Sequence, residues 1–379
     1  MHPYTGDYTE QRKNGKLNFI YYTFTPRPLK GNTFFKIDDE LMALLIETYH
    51  TLGLLEGLLQ YAPNKNSFCE LMLLKECTYS KMIDYGALDF RNILVKREAG
   101  KGNIESIKNL MSAYKSAADM QFAAQEYSKI CSIALYGDKA EQQISIRNTQ
   151  TFLQRAISNL KTYNPTAPED VLPSLADISA YLYDSEDDPL IQAALVHYQF
   201  EMIHPFEKYN GIVGRILIFM VLKKIAGKAL SGLCLSEHLF FNKNEYFDIL
   251  SSTQYSGGYV RWIKYFIRII NEATQTSVDL LKKYEETIKL DEEKLRAKVP
   301  KTKSVWSVYE YLKVSPVTSI PITAEHLNLS YNSVSKAFAT LKKYNIIMQR
   351  NNSTRNRIWE YTCLDFIFTL PSIKRAVCD

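Results

Sequence analysis

Phe200-Glu201-Met202-Ile203-His204-Pro205-Phe206-Glu207-Lys208-Tyr209-Asn210-Gly211-Ile212-Val213-Gly214-Arg215 is the stretch that decides how this chain folds. Proline has no amide hydrogen and disfavours helix in the residue before it, so a helix stops at His204. A second helix starts at Asn-Gly and carries Arg215 in its first turns. A helix N-terminus leaves backbone N–H groups unpaired, which makes it an anion cradle, and Arg215, one turn further in, reaches the same anion. Such a site suits phosphates. His204, at the end of the preceding helix, stands beside the cradle as a candidate base. The plainer reading of the same residues is a polar helix stop followed by an ordinary Asn-Gly turn.

Outward from this stretch, apolar periodicity predicts helices over 174–183, 189–203, 210–225, 244–250 and 259–289. Upstream, Leu41, Leu44, Leu45, Tyr49, Leu52 and Leu55 recur at three- and four-residue steps, a buried stripe on a first helix. A break at 62–66 separates it from a second helix through Leu71, Leu74 and Cys77. Helical periodicity continues over 104–136, whereas 144–163 has no clear period and reads as a loop or short hairpin, closed by the turn cluster 164–170. Residues 21–29 hold Pro26 and Pro28 and read as an extended arm laid over something else. Strands are scarce, so the fold class is mainly α.

The chain has 379 residues and a formal net charge of +5, with 15 Gly, 13 Pro and six Cys, which excludes collagen-like, disordered and disulfide-stapled classes. Cys69, Cys77, Cys131, Cys234, Cys363 and Cys378 form no CxxC pair and have no His at metal-ligand spacing. No metal site is expected, and a reducing compartment is the simple reading. Residues 1–17 are polar and mixed in charge, without a signal-peptide core, so a cytoplasmic location is expected. The longest apolar run, 216–222, is a third of the roughly 20 residues a spanning helix needs. No membrane partner is expected.

The composition shifts near Leu290, where 291–298 is nearly all charge, and the segment reads as a domain boundary or linker helix. Beyond it, helices at 305–312, 323–327 and 333–344 precede two β-like stretches, 346–350 and 357–363, in the order of a winged helix-turn-helix. The expected organisation is 1–110 for the arm and first helices, 111–290 for the helical core, and 291–379 for linker and winged helix. Residues 301–379 hold eleven Lys and Arg against five Asp and Glu, so nearly all the excess positive charge sits there. Asn332, Ser333 and Lys336 fall at the start of the helix that would read base edges in duplex DNA, and Arg350, Arg355 and Arg357 in the wing would meet phosphates. A protein-docking unit with a solvated basic face is the alternative.

The central stretch resembles the signature of the Fic family, HxFx(D/E)GNGRxxR. His197-Tyr198-Gln199-Phe200-Glu201, Leu235-Ser236 and Phe241-Asn242-Lys243-Asn244-Glu245-Tyr246 look like its flanking helices. Tyr163-Asn164-Pro165-Thr166-Ala167-Pro168 is similar to the segment after the family's target-docking flap, which would put the flap near 151–161. The whole resembles the long bacterial class, with an N-terminal inhibitory helix and a C-terminal winged helix. The resemblance implies a helical core with a short β-hairpin flap that transfers AMP from ATP to a hydroxyl side chain of a target protein. By position, His204 would be the base, Phe206 the loop's anchor, Asn210 and Gly211 part of the anion hole, and Arg215 the contact to the outer phosphates. Asn242 and Tyr246 would line the nucleotide pocket. A second copy of the chain is a further partner to test.

The departures from the signature bear on chemistry. Lys208 stands where the family has the acid that holds Mg²⁺, Tyr209 where it has Gly, and Ile212 where it has the first Arg. An ammonium repels a cation, so Mg²⁺ is doubtful here. Either Lys208 itself neutralises phosphate charge, or the site has lapsed and the chain serves as a DNA-binding regulator. Ser80-Lys81-Met82-Ile83-Asp84-Tyr85-Gly86 resembles the inhibitory motif (S/T)xxxE(G/N), with Asp84 at the glutamate position and Tyr85 at the small one. The resemblance implies that Asp84 pairs with Arg215; a solvent-facing Asp near a helix end is the competing reading.

Overall fold

The computed structural model describes the chain except for residues 1–4, 14–18, 32–34, 87, 89–92, 94–103, 139–142, 153–163, 257, 352–356, 363–366 and 368–379. Most of the flap expected at 151–161 and the wing residue Arg355 therefore lie outside the described residues.

The N-terminal arm is an antiparallel hairpin of β1 (Gly6–Lys13) and β2 (Phe19–Pro26) in the register Gly6 to Pro26 and Lys13 to Phe19. What the arm lies over is the turn cluster. The Phe24 amide donates to the Asn164 carbonyl at 3.1 Å, and Thr166 Oγ1 donates to the Phe24 carbonyl at 3.0 Å. Phe24 itself is fully buried.

Helix α1 (Asp39–Tyr61) starts on Asp38, whose carboxylate accepts from the Leu41 amide, with Asp39 and Glu40 in its first turn facing the positive end of the helix dipole. Leu41, Leu45, Leu52 and Leu55 form its buried stripe. α2 (Lys65–Tyr85) follows after the break and ends at Gly86, whose φ of 89° favours glycine. The periodic region 104–136 is two helices, α3 (Ile104–Ala117) and α4 (Ala124–Tyr136).

The centre of the core is a helix pair. After α5 (Pro168–Asp184) come α6 (Pro189–Ile203) and α7 (Asn210–Ala226), both apolar on nearly every face. A helix apolar all round is buried all round. Every residue of α6 from Leu190 to Ile203 is buried, and α7 packs along it. A 3₁₀ turn (Gly227–Gly232), α8 (Leu235–Phe241) and α9 (Lys243–Ser256) lead into α10 (Tyr259–Lys298).

α10 runs unbroken for 40 residues, straight through the charged stretch read as a domain boundary or linker helix, which is therefore helical and continuous with the helix expected at 259–289. The charges are compatible with helix because Asp291 and Leu295 face inward: Asp291 is 1% exposed and accepts from Tyr361 Oη at 2.9 Å. The remaining elements are α11 (Lys303–Val314), β3 (Val317–Thr318), α12 (Ile320–Leu327), α13 (Tyr331–Lys343), β4 (Ile347–Gln349) and β5 (Trp359–Tyr361). The three strands form an antiparallel sheet in the order β3-β5-β4, and Val334, Ala337, Phe338 and Leu341 are the buried face of α13. No helix among the described residues is long and apolar enough to cross a membrane.

Candidate active site

The loop between α6 and α7 has a left-handed residue at each end. His204 (φ 52°) caps α6 and Tyr209 (φ 69°) precedes α7. Non-glycine residues in this region cost roughly 1–2 kcal/mol each and persist where their surroundings over-determine them.

At the His204 end the determinant is Arg147, from the stretch that showed no period in sequence. Arg147 is 4% exposed. Its guanidinium donates to the carbonyls of His204 (2.7 Å), Ile203 (3.0 Å), Thr149 (3.0 Å) and Thr166, and its backbone amide donates to the Pro205 carbonyl at 2.9 Å. The Ile203 and His204 carbonyls are among those the C-terminus of α6 leaves unpaired, at the negative end of its dipole, whereas Thr149 and Thr166 lie on neighbouring loops. Burial lowers the Arg147 pKa to about 10, partly offset by Glu169, so it stays charged at neutral pH. Sequence reading missed this residue. The available signal was a lone arginine following Ile144 and Ile146, too short an alternation to weigh.

His204 Nδ1 lies 2.9 Å from the Glu201 carbonyl. A carbonyl only accepts, so Nδ1 carries the hydrogen and the lone pair of the neutral ring is on Nε2. In the middle of the loop, Asn210 Oδ1 accepts from the Phe206 amide and Asn210 Nδ2 donates to the Phe206 carbonyl, both at 2.8 Å. The Asn210 amide closes the loop on itself, and Phe206 is buried beneath it.

The α7 end is built around Arg215, which is 1% exposed. Its Nε donates to Ser80 Oγ at 2.9 Å, and its Nη2 donates to the Ser80 carbonyl and to Asp84 Oδ2, both at 2.7 Å. Burial alone would lower the Arg215 pKa, and the Asp84 carboxylate reverses that to a net rise. A Cβ on Gly211 would sit 2.9 Å from both Asp84 oxygens and from Arg215 Nη1. The carboxylate therefore lies against the first turn of α7, where the helix dipole favours negative charge. Any side chain at 211 would push the pair apart.

A departure from the inhibitory motif and one from the Fic signature touch each other. Tyr85, at the end of α2, and Tyr209, in the loop, have ring centroids 5.4 Å apart. Lys243 Nζ donates to the Ile83 carbonyl and so caps the same end of α2. Lys208 is exposed, and among the described residues no carboxylate pairs with its side chain. Ile212, in place of an arginine, is fully buried in the core and offers nothing to a phosphate. With an ammonium at 208 and an aliphatic side chain at 212, the exposed Glu207 is the loop's one carboxylate, a poor donor set for a divalent cation.

Asn242 and Tyr246 lie at the turn from α8 to α9. Asn242 Nδ2 donates to the His238 carbonyl at 2.9 Å, a local cap. Tyr246 is 1% exposed, with its hydroxyl 2.9 Å from His197 Nε2. Burial, then the charge of Arg215, lower the His197 pKa to about 3, so that ring is neutral. A Cβ on Gly214 would lie 3.2 Å from His197 Nδ1 and 2.9 Å from Glu201 Oε1, so this glycine is what lets α7 approach α6 so closely.

The structure thus joins Ser80, Asp84, Gly211 and Arg215 in one contact set, with His204 across the loop. It keeps the C-terminal candidates apart from that set. Asn332 and Lys336 are exposed and Ser333 half-buried at the start of α13; Arg357 is exposed, and Arg350 Nε lies 3.9 Å from Glu360 Oε2.

Comparison with known proteins points to the same helices. The Fic/DOC family model matches residues 134–222, from the end of α4 into α7. Over 82 residues, 21% of this chain, the chain is 34% identical to protein adenylyltransferase fic-1 of Caenorhabditis briggsae and 33% identical to that of Caenorhabditis elegans. The match spans 15% of the length of each of those relatives. A Fic family protein of Desulfovibrio desulfuricans superposes with a TM-score of 0.58 at 14% identity, covering 86% of this chain and 97% of that one. A Fic domain containing signaling protein of Bacteroides thetaiotaomicron superposes with a TM-score of 0.51 at 17% identity, over 63% of this chain and 97% of its own. The chain thus has the fold of solved Fic family proteins, with a Fic/DOC-family domain at residues 134–222 that contains this loop.

Proposed function

We propose that the chain is a Fic-type adenylyltransferase with an eroded site, held closed by its own Asp84. In this reading ATP is the substrate and AMP passes to a hydroxyl of a target protein. The attacking oxygen bonds to the α-phosphorus, pyrophosphate leaves, and the hydroxyl proton moves to His204 Nε2. The first-turn amides of α7 and the guanidinium of Arg215 compensate the charge on the phosphoryl oxygens. The observation that supports the reading is the Asp84 carboxylate seated against Gly211 and bonded to Arg215, the groups that in this reading would receive the phosphates. ATP then needs Asp84 to withdraw.

Lys208 takes no metal and leaves its own charge as the substitute. Loss of a metal and an arginine removes several kcal/mol of stabilisation, roughly 10³-fold in rate or more, so slow transfer is the expected behaviour. Incubation with labelled ATP, with Mg²⁺ and with chelator, tests this. Self-labelling or target labelling that disappears in His204→Ala supports the enzyme; absence of nucleotide binding to Asp84→Ala in calorimetry removes it.

The buried Ile212 favours a second reading, a lapsed Fic scaffold that regulates through DNA. Asn332 and Lys336 on the exposed start of α13 would meet base edges, with Arg350, Arg355 and Arg357 at phosphates, in a winged-helix arrangement of α11 to β5. A salt-sensitive mobility shift with duplex DNA, lost on replacing the three arginines by alanine, supports it. No shift at low salt leaves the basic face as a docking surface.

A further inference from the structure

Away from the loop, α1, α2, α3, α7 and the 3₁₀ turn line a half-open cavity of about 560 Å³. That lies within the roughly 300–1,000 Å³ of small-molecule sites. Its walls are Leu59, Leu73, Ile216, Phe219, Met220 and Leu233, an aliphatic lining with one aromatic ring. Glu76 and Tyr114 also reach it, but their polar atoms are turned to each other (2.8 Å) and to the Ser236 amide (2.7 Å) rather than into the space. The rim is mainly cationic: Lys65, Lys115, Lys223 and Lys228 line it with Glu70, and the Glu56 carboxylate lies beside Gly227. Glu70 already pairs with Lys115 at 3.3 Å, and Lys223 pairs with Asp119 at 3.1 Å. Lys65 Nζ donates to the Gln60 carbonyl at 3.2 Å and the Lys228 backbone amide to Glu56 Oε1 at 3.3 Å, and among the described residues no ion pair joins either ammonium to a carboxylate.

An apolar interior of this size with more ammonium groups than carboxylates at its mouth suits an aliphatic chain with a single anionic head. We propose that this cavity binds a long-chain fatty acid, its tail between α2 and α7 and its carboxylate at Lys65 and Lys228. The walls come from both helices that carry the contact between Asp84 and Arg215, so the ligand rests on the two elements whose docking closes the candidate active site. The proposal does not depend on the nucleotidyl-transfer reading, because binding is measured without ATP.

The test is calorimetric titration of the delipidated full chain with octanoate, dodecanoate and hexadecanoate below their micellar concentrations, and with dodecanol. One-to-one binding is expected, with affinity rising about tenfold per two methylenes until the cavity is filled. Dodecanol binds at least about tenfold more weakly than dodecanoate. Lys65→Ala with Lys228→Ala brings dodecanoate down to the dodecanol level and leaves dodecanol unchanged. Ala118→Trp, at an exposed position on the cavity lining, abolishes both; if that variant does not fold by circular dichroism, the lysine pair and the chain-length series decide. Non-saturable binding, equal affinity for acid and alcohol, or binding untouched by the lysine pair overturns the proposal.

Discussion

Two buried arginines hold the two ends of the loop between α6 and α7, and they do so in different ways. Arg147 is bonded to backbone carbonyls alone, four of them from its side chain, drawn from three separate segments. Arg215 is bonded to a single residue pair, Ser80 and Asp84, on one neighbouring helix. A clamp on backbone has no moving partner, so the His204 end is fixed scaffold. A clamp whose partners all sit on the last turns of one helix can be released when that helix end shifts, so the Arg215 end is the one that can change state.

The largest way to break this contrast is Arg147→Met. It leaves several buried carbonyls without donors, and at 1–3 kcal/mol per orphaned group the chain should lose roughly 3 kcal/mol or more of stability in urea denaturation. A loss below about 1 kcal/mol would mean that the left-handed cap at His204 stands without it. The second is acidification. His197, under Arg215, is neutral when folded, with its pKa lowered to about 3 from 6.5, so the unfolded chain gains the proton first. Its contribution is complete above about pH 6.5 and is lost at up to about 1.4 kcal/mol per pH unit as pH falls toward 3. Replacing His197 by Asn should flatten that part of the curve of stability against pH; an unchanged slope would assign the acid sensitivity elsewhere.

Third, Asp84→Ala removes the only carboxylate bonded to Arg215 among the described residues. Because the Asp84 side chain is 24% exposed, its loss should cost about 1–2 kcal/mol, less than for a fully buried pair. Nucleotide binding should strengthen at the same time, whereas Arg147→Met should weaken it. The smallest effect belongs to the tyrosines. A double-mutant cycle between Tyr85→Ala and Tyr209→Ala should show a coupling of roughly 0.5–1.5 kcal/mol. A coupling near zero would make the ring contact incidental to holding α2 on the loop.

How much of this was legible in the sequence follows from the range of the interactions involved. The helices at 189–203 and 210–225 were plain because their boundaries are written locally, in Pro205 and in the Asn-Gly start. The pairing of Asp84 with Arg215 was reachable only through motif resemblance, since 131 residues separate the two in the chain. Arg147 was not legible, because its partners are carbonyl groups, which every residue carries and no side-chain pattern marks. The contact between Tyr85 and Tyr209 was hidden for a related reason: each was noticed as a departure from a motif, and only the fold shows that the two meet. The hairpin partner of β2 was missed although it lies just upstream, because Gly6–Lys13 is polar on both faces and carries no apolar alternation, and the joining of the possible linker helix at 291–298 to the helix before it was missed because it depends on inward-facing Asp291 and Leu295 within a charged run.

That continuity has a practical side. Lys289, Lys294 and Lys298 are exposed basic residues at the point where a two-part protein would ordinarily be nicked, yet all three belong to α10. Trypsin needs several residues of extended chain across its cleft, and a hydrogen-bonded helix withholds them. Digestion should spare this stretch and act instead at the short break before α11, so the last 80 or so residues travel with the rest of the molecule until that bend is cut.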